Sequence, residues 1–267
     1  MQIHTLASGS TGNCALISAG KGGQRTTICL DAGIALRTAR GFAEIVGHSL
    51  SELDAVLLTH RHGDHSTNII AVAARAQAPL YMHRDTVDSS QKLGKSELIR
   101  RDIDRRDISD NGTFFVGDIA VTAIQVPHDA DPTFGYIFEY QGKRAGFFTD
   151  LGNTEDIINR GIFADLDELV LESNYDPEML ANGHYPQALK QRVSSDLGHL
   201  SNQQAAAAIK DGASARLQKL TLAHLSQKNN APLIAAECMQ HALNDCGLQH
   251  VDLQIAPARG PVSKALF

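Results

Sequence analysis

Thr59-His60-Arg61-His62-Gly63-Asp64-His65 decides the reading of this chain. Four of these seven residues carry good metal-ligating groups. They follow Ala55-Val56-Leu57-Leu58, a short apolar run of the kind that forms a buried strand. A strand ending in H-x-H-x-D-H places imidazoles and a carboxylate in the loop at its C-terminal edge. Neutral imidazole nitrogen and ionised carboxylate oxygen suit zinc, manganese or iron. A polar surface loop would not gather four such groups in six positions. The stretch points to a metal-dependent hydrolase.

Working outward, the first third reads as short strands at residues 3–7, 14–18 and 26–30, separated by glycine turns. Asp31-Ala32-Gly33 closes the third. Residues 66–77 read as a helix with Ile69, Ile70, Val72, Ala73 and Ala76 on its apolar side, and Leu80-Tyr81-Met82 as the next strand. Residues 84–110 are polar and charged, expected as a solvated helix or excursion. Lys92, Lys95, Arg100-Arg101 and Arg105-Arg106 make that segment a second candidate, a phosphate-contacting edge. Strands return at 113–126, 135–140, 144–149, 168–171 and 220–223, and the remainder reads as mostly helical. Strands with interleaved helices and ligands at strand ends predict an α/β layered sandwich, one domain over residues 1–267.

Three further residues, His128, Asp150 and His224, each follow a predicted strand. Loops at one edge of a sheet-based fold converge. His60, His62 and His128 can make one metal site; Asp64, His65 and His224 can make a second, with Asp150 bridging. Such a pair of cations suits hydrolysis by a shared, metal-bound hydroxide. Asp31 also ends a strand and is expected to orient the metal loop from behind.

Composition sets bounds. The 267 residues are 43% hydrophobic and 20% charged, ordinary for a globular protein. The net charge of −6 argues against nucleic-acid binding by bulk charge, not against a local basic groove. Four cysteines without C-x-x-C spacing are expected as free thiols in a reducing compartment. With no signal-peptide pattern and no long apolar run, the expectation is a cytoplasmic protein without membrane contact.

The order Asp31, His60-x-His62-x-Asp64-His65, His128, Asp150, His224 resembles the metallo-β-lactamase superfamily, which implies a four-layer αββα sandwich. The lactamases themselves carry cysteine or serine where this chain has Asp150; a bridging aspartate is similar to the glyoxalase II, phosphodiesterase and nuclease branches. Leu6-Ala7-Ser8-Gly9-Ser10-Thr11-Gly12-Asn13-Cys14, Pro127-His128-Asp129, Thr149-Asp150-Leu151-Gly152, Leu171-Glu172-Ser173-Asn174 and Gly198-His199-Leu200-Ser201-Asn202 resemble the YycJ/WalJ group. That resemblance implies a 5′→3′ exonuclease acting on duplex DNA ends, linked to mismatch repair, with two divalent ions (zinc, manganese or iron). The loop holding His128 is one residue shorter than is usual in that group.

Ser201-Asn202-Gln203-Gln204 has the form of a capping box, which puts His199 just before a helix N-terminus where an anion is favoured. The segment is similar to one in the tRNA 3′-processing endonuclease RNase Z, which implies that Glu172 orients His199 as a proton donor to the leaving group. Ser201, Asn202, Lys190 and Arg192 are candidate phosphate contacts. Three other readings stand beside the exonuclease: a small phosphodiester such as a cyclic nucleotide, a glyoxalase II-like thioesterase, and a non-catalytic scaffold. The low aromatic content of 5% leans toward the first of these, because single-strand binding platforms need aromatics; the His199 segment argues against the thioesterase.

Overall fold

The structure is a computed structural model. It describes residues 1–20, 25–86, 93 and 101–261, with the backbone of 87–89 and 264–265. The chain divides into two compact units: Met1–Gln125 with Ala130–Gln141 and Arg259–Val262, and Val126–Asp129 with Gly142–Ala258 and Ser263–Phe267.

In the first unit, β1 (Gln2–Ala7), β2 (Cys14–Ala19), β3 (Thr26–Leu30), β4 (Ala55–Leu57), β5 (Leu80–Met82) and β6 (Arg105–Asp107) lie side by side in that order. The first three pair antiparallel and the last four parallel. Every residue of β2, β3, β4 and β5 is buried, as in strands covered on both faces. Parallel neighbours need a crossover. Helix α1 (Leu36–Ile45) supplies it between β3 and β4; α2 (Gly63–Ser66) and α3 (Ile69–Ala76) supply it between β4 and β5. Leu16, Cys29, Val56 and Leu80 pack against Ala39, Ala43, Ile69 and Val72 in one core. Helix α4 (Arg84–Ser89) follows β5.

The helix expected over 66–77 is two. Asn68 breaks it: its N–H donates to Ala32 O and its side-chain amide to Ile34 O, both at 2.9 Å, and its backbone leaves the helical region. The segment expected as a solvated helix or excursion holds a helix, α4, and also the edge strand β6. There Arg105 pairs with Asp107 at 3.0 Å, and Arg106 pairs with Asp104 and donates to the Tyr81 hydroxyl at 2.7 Å. Those partners account for the second arginine pair. Lys92, Lys95 and Arg100 lie outside the described residues.

Also in this unit, β7 (Thr113–Val116) and β8 (Ile119–Val126, whose last residue belongs to the second unit) form an antiparallel pair, joined through Gly117 at φ +52. Strand β9 (Thr133–Tyr140) is beside β8. It braces the end of β4: Tyr136, fully buried, donates its hydroxyl to Leu58 O at 2.6 Å, and Phe134 N donates to Thr59 O at 3.1 Å.

The second unit is built on β10 (Lys143–Phe148), β11 (Glu168–Glu172), β12 (Lys219–Ala223) and β13 (Asp252–Ile255), all parallel, with β14 (Lys264–Ala265) antiparallel at the edge. Strand β13 falls where sequence suggested mostly helix; four residues are too few for alternation to stand out. The helices are α5 (Glu155–Asn159), α6 (Pro177–Asn182), α7 (Gln187–Val193), α8 (Asn202–Gly212) and α9 (Pro232–Asp245). Helices α8 and α9 are the crossovers into β12 and β13 and pack together. The buried methyls of Ala205, Ala208, Ala235 and Ala236 suit that close approach.

All four cysteines are free, as expected. No helix among the described residues is long and apolar enough to cross a membrane.

His48 is buried in the first unit, its Nδ1 3.4 Å from the Thr27 hydroxyl and its ring 5.5 Å from that of His4. Burial, then the charges of Arg25 and His4, lowers its pKa to about 4. An unfolded histidine takes its proton near 6.5. The folded state therefore holds this contribution above about pH 6.5 and loses it as pH falls toward 4, on the order of 2 kcal/mol. Denaturant titration of metal-free protein at pH 7 and pH 4.5 should show that loss. His48→Gln should flatten it; an equal slope in that variant would place the acid sensitivity elsewhere.

Candidate metal centre

Local geometry explains how the H-x-H-x-D-H loop is held. Asp31 follows β3 with φ +58, a conformation that residues with a Cβ adopt at a cost. This turns its buried carboxylate onto the metal loop. Oδ1 accepts from Thr59 N at 2.9 Å, and Oδ2 accepts from the Thr59 hydroxyl at 2.9 Å and from His65 Nδ1 at 2.7 Å. On its other edge, His65 Nε2 lies 2.8 Å from Asn13 Nδ2, a donor, and 3.7 Å from Asp64 Oδ2. These partners fix the tautomer: the proton is on Nδ1 and the lone pair on Nε2. His60 follows the same rule, its Nδ1 3.0 Å from the Thr59 hydroxyl oxygen. The His60 ring is 4.8 Å from His62 and 4.2 Å from His65, centre to centre.

The backbone beneath is equally fixed. Asn13 N donates to Asp64 O at 2.7 Å, Ala32 N to His65 O at 2.8 Å and Gly33 N to Asn13 O at 2.8 Å. A Cβ on Gly33 would sit 1.6 Å from Asp64 O. Gly33→Ala is expected to cost roughly 3 kcal/mol or more, because rigid backbone and not a flexible side-chain tip must move. Denaturant unfolding and metal analysis should fall together in that variant; unchanged values in both would show the loop to be slack.

In the second unit the parallel register aligns strand ends. Phe148 is beside Leu171, Leu171 beside Leu222 and Glu172 beside Ala223. The residues that follow are therefore neighbours at one C-terminal edge. Asp150 (φ +59) and His224 (φ +57) both make the same left-handed turn as Asp31. Glu172, fully buried, is the hub. Its Oε1 is 2.8 Å from both His199 Nδ1 and His224 Nδ1; its Oε2 accepts from Leu151 N at 2.9 Å and Leu200 N at 3.1 Å. Asp150 Oδ1 lies 3.6 Å from His224 Nδ1 and 3.7 Å from His199 Nδ1. His128, after β8, donates a hydrogen bond from its Nδ1–H to Gly198 O at 3.0 Å and has Nε2 3.7 Å from Asp150 Oδ1. Asp150, Glu172, His199 and His224 offer ligand atoms within 4.8 Å of one another.

Burial alone would raise the Glu172 pKa, but His199 and His224 outweigh it and hold it near 2. Burial likewise works to lower the His199 pKa, and the charges of Glu172 and Asp150 outweigh it and raise it. Two glycines shape this side. A Cβ on Gly152 would be 1.8 Å from Asp196 O, and one on Gly198 2.3 Å from Arg192 O. The chain before His199 thus packs directly on the turn after Asp150.

The candidate phosphate contacts have internal partners. Ser201 caps α8, its hydroxyl accepting from Gln204 N at 3.1 Å, and Gln204 completes the capping box. Asn202 is buried and exchanges amide hydrogen bonds with Asn230 at 3.0 and 2.9 Å. Lys190 donates to Ala181 O at 2.6 Å, and Arg192 to Asp129 beside His128. Sequence reasoning gave no role to Asn13, Thr59, Asn174 or Asn230. Asn174 donates to His224 O at 2.7 Å and Asn230 to Ser173 O at 2.9 Å. Asn13 and Asn174 sit inside strings already noted, so their signal was present without a partner to explain it.

These groups fit divalent transition metals. Four of the five histidines expected as metal ligands have Nδ1 tied to a hydroxyl, carboxylate or carbonyl: His60, His65, His128 and His224. That leaves Nε2 as the basic nitrogen in each, as metal ligation requires.

A family model described as the Beta-lactamase superfamily domain matches residues 26–224, three quarters of the chain, from β3 to His224. The chain belongs to the metallo-β-lactamase superfamily. It is a metal-dependent hydrolase of that superfamily, and its α/β fold of mixed sheets and flanking helices is the one the ligand order led us to expect. It is similar to exodeoxyribonuclease WalJ of Streptococcus pneumoniae, 33% identical over 91% of this chain and 88% of the relative. Exodeoxyribonuclease YycJ of Bacillus anthracis is 30% identical over 92% of this chain and 90% of its own length. Among solved structures, the metallo-β-lactamase fold protein YhfI of Bacillus subtilis superposes with a TM-score of 0.72, covering 98% of each chain at 16% identity.

Proposed function

We propose that this protein is a nuclease that removes nucleotides from the 5′ ends of duplex DNA, acting as a single domain in cytoplasmic DNA repair. His60, His62 and His128 would hold one divalent cation, Asp64, His65 and His224 the other, with Asp150 shared and Asp31 positioning. Zinc, manganese and iron are cations that suit this donor set. When bound, such a pair would supply a water ionised near neutral pH and offset charge on a phosphoryl group.

One observation carries the choice of a phosphodiester: the buried Glu172 carboxylate holds His199 at 2.8 Å, beside Asp150 and at the capped start of α8. Glu172 fixes the His199 Nδ1 proton and raises the basicity of the ring. The Nε2 edge then carries a proton suited to a departing 3′-oxygen. Backbone N–H groups at the start of α8 favour a phosphoryl oxygen. A thioester leaves as a thiolate that needs no such donor. The names of the WalJ and YycJ relatives point the same way.

The acidic net charge of −6 keeps a second reading open, a small phosphodiester such as a cyclic nucleotide. The test is one panel with Mn²⁺ or Zn²⁺: 5′-phosphorylated duplex DNA, single-stranded DNA, RNA, a cyclic nucleotide and a glutathione thioester. A ladder of products from duplex 5′ ends is the expected result. Hydrolysis of the thioester alone would remove the nuclease reading. Unchanged turnover in His199→Ala would remove that residue from the chemistry.

A further inference from the structure

We infer that a cavity between α5 and α8 in the second unit receives a nucleobase of the substrate; the inference rests on the nuclease reading and adds a binding site to it. The cavity measures about 380 Å³, within the roughly 300–1,000 Å³ of small-molecule sites. It begins at Asn153, three residues after Asp150, and takes in Leu200, the residue after His199. Both segments that frame the proposed proton donor therefore continue into its wall.

The lining matches a base better than any other part of a nucleic acid. Ile158, Leu200, Ala207 and Ala208 give apolar surface for a ring face. Asn153, Asn159 and Gln204 bring three carboxamides, a group that both donates and accepts, as a base edge requires; that of Asn153 already donates to Asp196 O at 3.4 Å and accepts from Glu155 N at 3.3 Å, which orients it. Gln204 Oε1 accepts from Ser201 N at 2.8 Å, which fixes the amide by its oxygen. Glu155 and Asp211 complete the rim, and the ten lining residues include no lysine or arginine. Two carboxylates repel a phosphate, whereas they accept from the exocyclic amino group of a base. An acyl chain would have no use for the amides. Ala207 is exposed on α8, so the space above it is open because its side chain is a methyl group.

Ala207→Phe closes this space from an exposed helix position that the proposed metal ligands do not share. Four substrates are compared at fixed metal: duplex DNA, the same duplex with an abasic residue at either nucleotide flanking the scissile bond, a cyclic nucleotide, and bis(p-nitrophenyl) phosphate, which has no base. With the natural chain, kcat/KM should fall roughly ten-fold or more for one abasic duplex, the loss expected for one hydrogen-bonded base edge. Ala207→Phe should lose a similar factor on intact DNA, and nothing on that abasic duplex or on the chromogenic diester. Asn159→Ala, exposed on α5, should lose less on intact DNA and likewise nothing on the abasic duplex. A larger effect on the cyclic nucleotide than on DNA would still place a base here while assigning it to the smaller substrate. Equal losses on all substrates, or none on intact DNA, would overturn the inference and leave the nuclease reading standing. A natural chain that hydrolyses the chromogenic diester but no nucleotide substrate would overturn both.

Discussion

Asp64→Asn is expected to lose bound metal and activity together, with turnover down roughly 10³-fold or more, since a cation contributes several kcal/mol to stabilising charge in such reactions. The substitution is nearly isosteric. The backbone bond from Asn13 N to Asp64 O does not involve the side chain, and the carboxylate is partly exposed. The fold should therefore survive, and the circular dichroism spectrum should be unchanged. What is removed is an anionic oxygen 3.7 Å from the lone-pair edge of His65. An amide oxygen is a weaker ligand for zinc or manganese and does not offset their charge. Metal analysis by mass spectrometry and a DNA hydrolysis assay would measure both losses. A variant that kept both would contradict the ligand assignment.

Glu172→Gln is expected to damage stability as well as chemistry. The carboxylate accepts four hydrogen bonds, from two imidazoles and two backbone N–H groups, with no exposure to solvent. Glutamine offers only one accepting oxygen. Its amide nitrogen would face at least two buried donors, leaving donor against donor. Removing one partner of a buried charged pair costs about 3–5 kcal/mol. His199 and His224 would lose the group that fixes their tautomer, a change worth about 10–100-fold in activity or metal affinity. Denaturant unfolding and steady-state kinetics would check both. A loss of activity with full stability would make Glu172 an orienting group only; full retention of both would remove the hub.

Much of the site was legible because its signal is local. H-x-H-x-D-H lies within six positions, and His128, Asp150 and His224 each follow an apolar run by at most two residues. The capping box at Ser201 is a four-residue pattern, and it formed as read. What stayed hidden depends on partners far along the chain. Asn13 reaches His65 and Asn174 reaches His224, pairings 52 and 50 residues apart. Glu172 was read with one histidine and holds two. The left-handed turns at Asp31, Asp150 and His224 leave no mark in composition, because aspartate and histidine adopt them without glycine. The break at Asn68 escaped for the same reason: periodicity continues through it, and only the tertiary bonds to Ala32 and Ile34 end the helix.

The most direct test is the metal content of Asp150→Asn beside that of the natural chain. If one cation pair draws ligands from both strand-end sets, the natural chain binds two equivalents and loss of the shared carboxylate releases both. Two tightly held equivalents in Asp150→Asn, or none in the natural chain, would contradict the account.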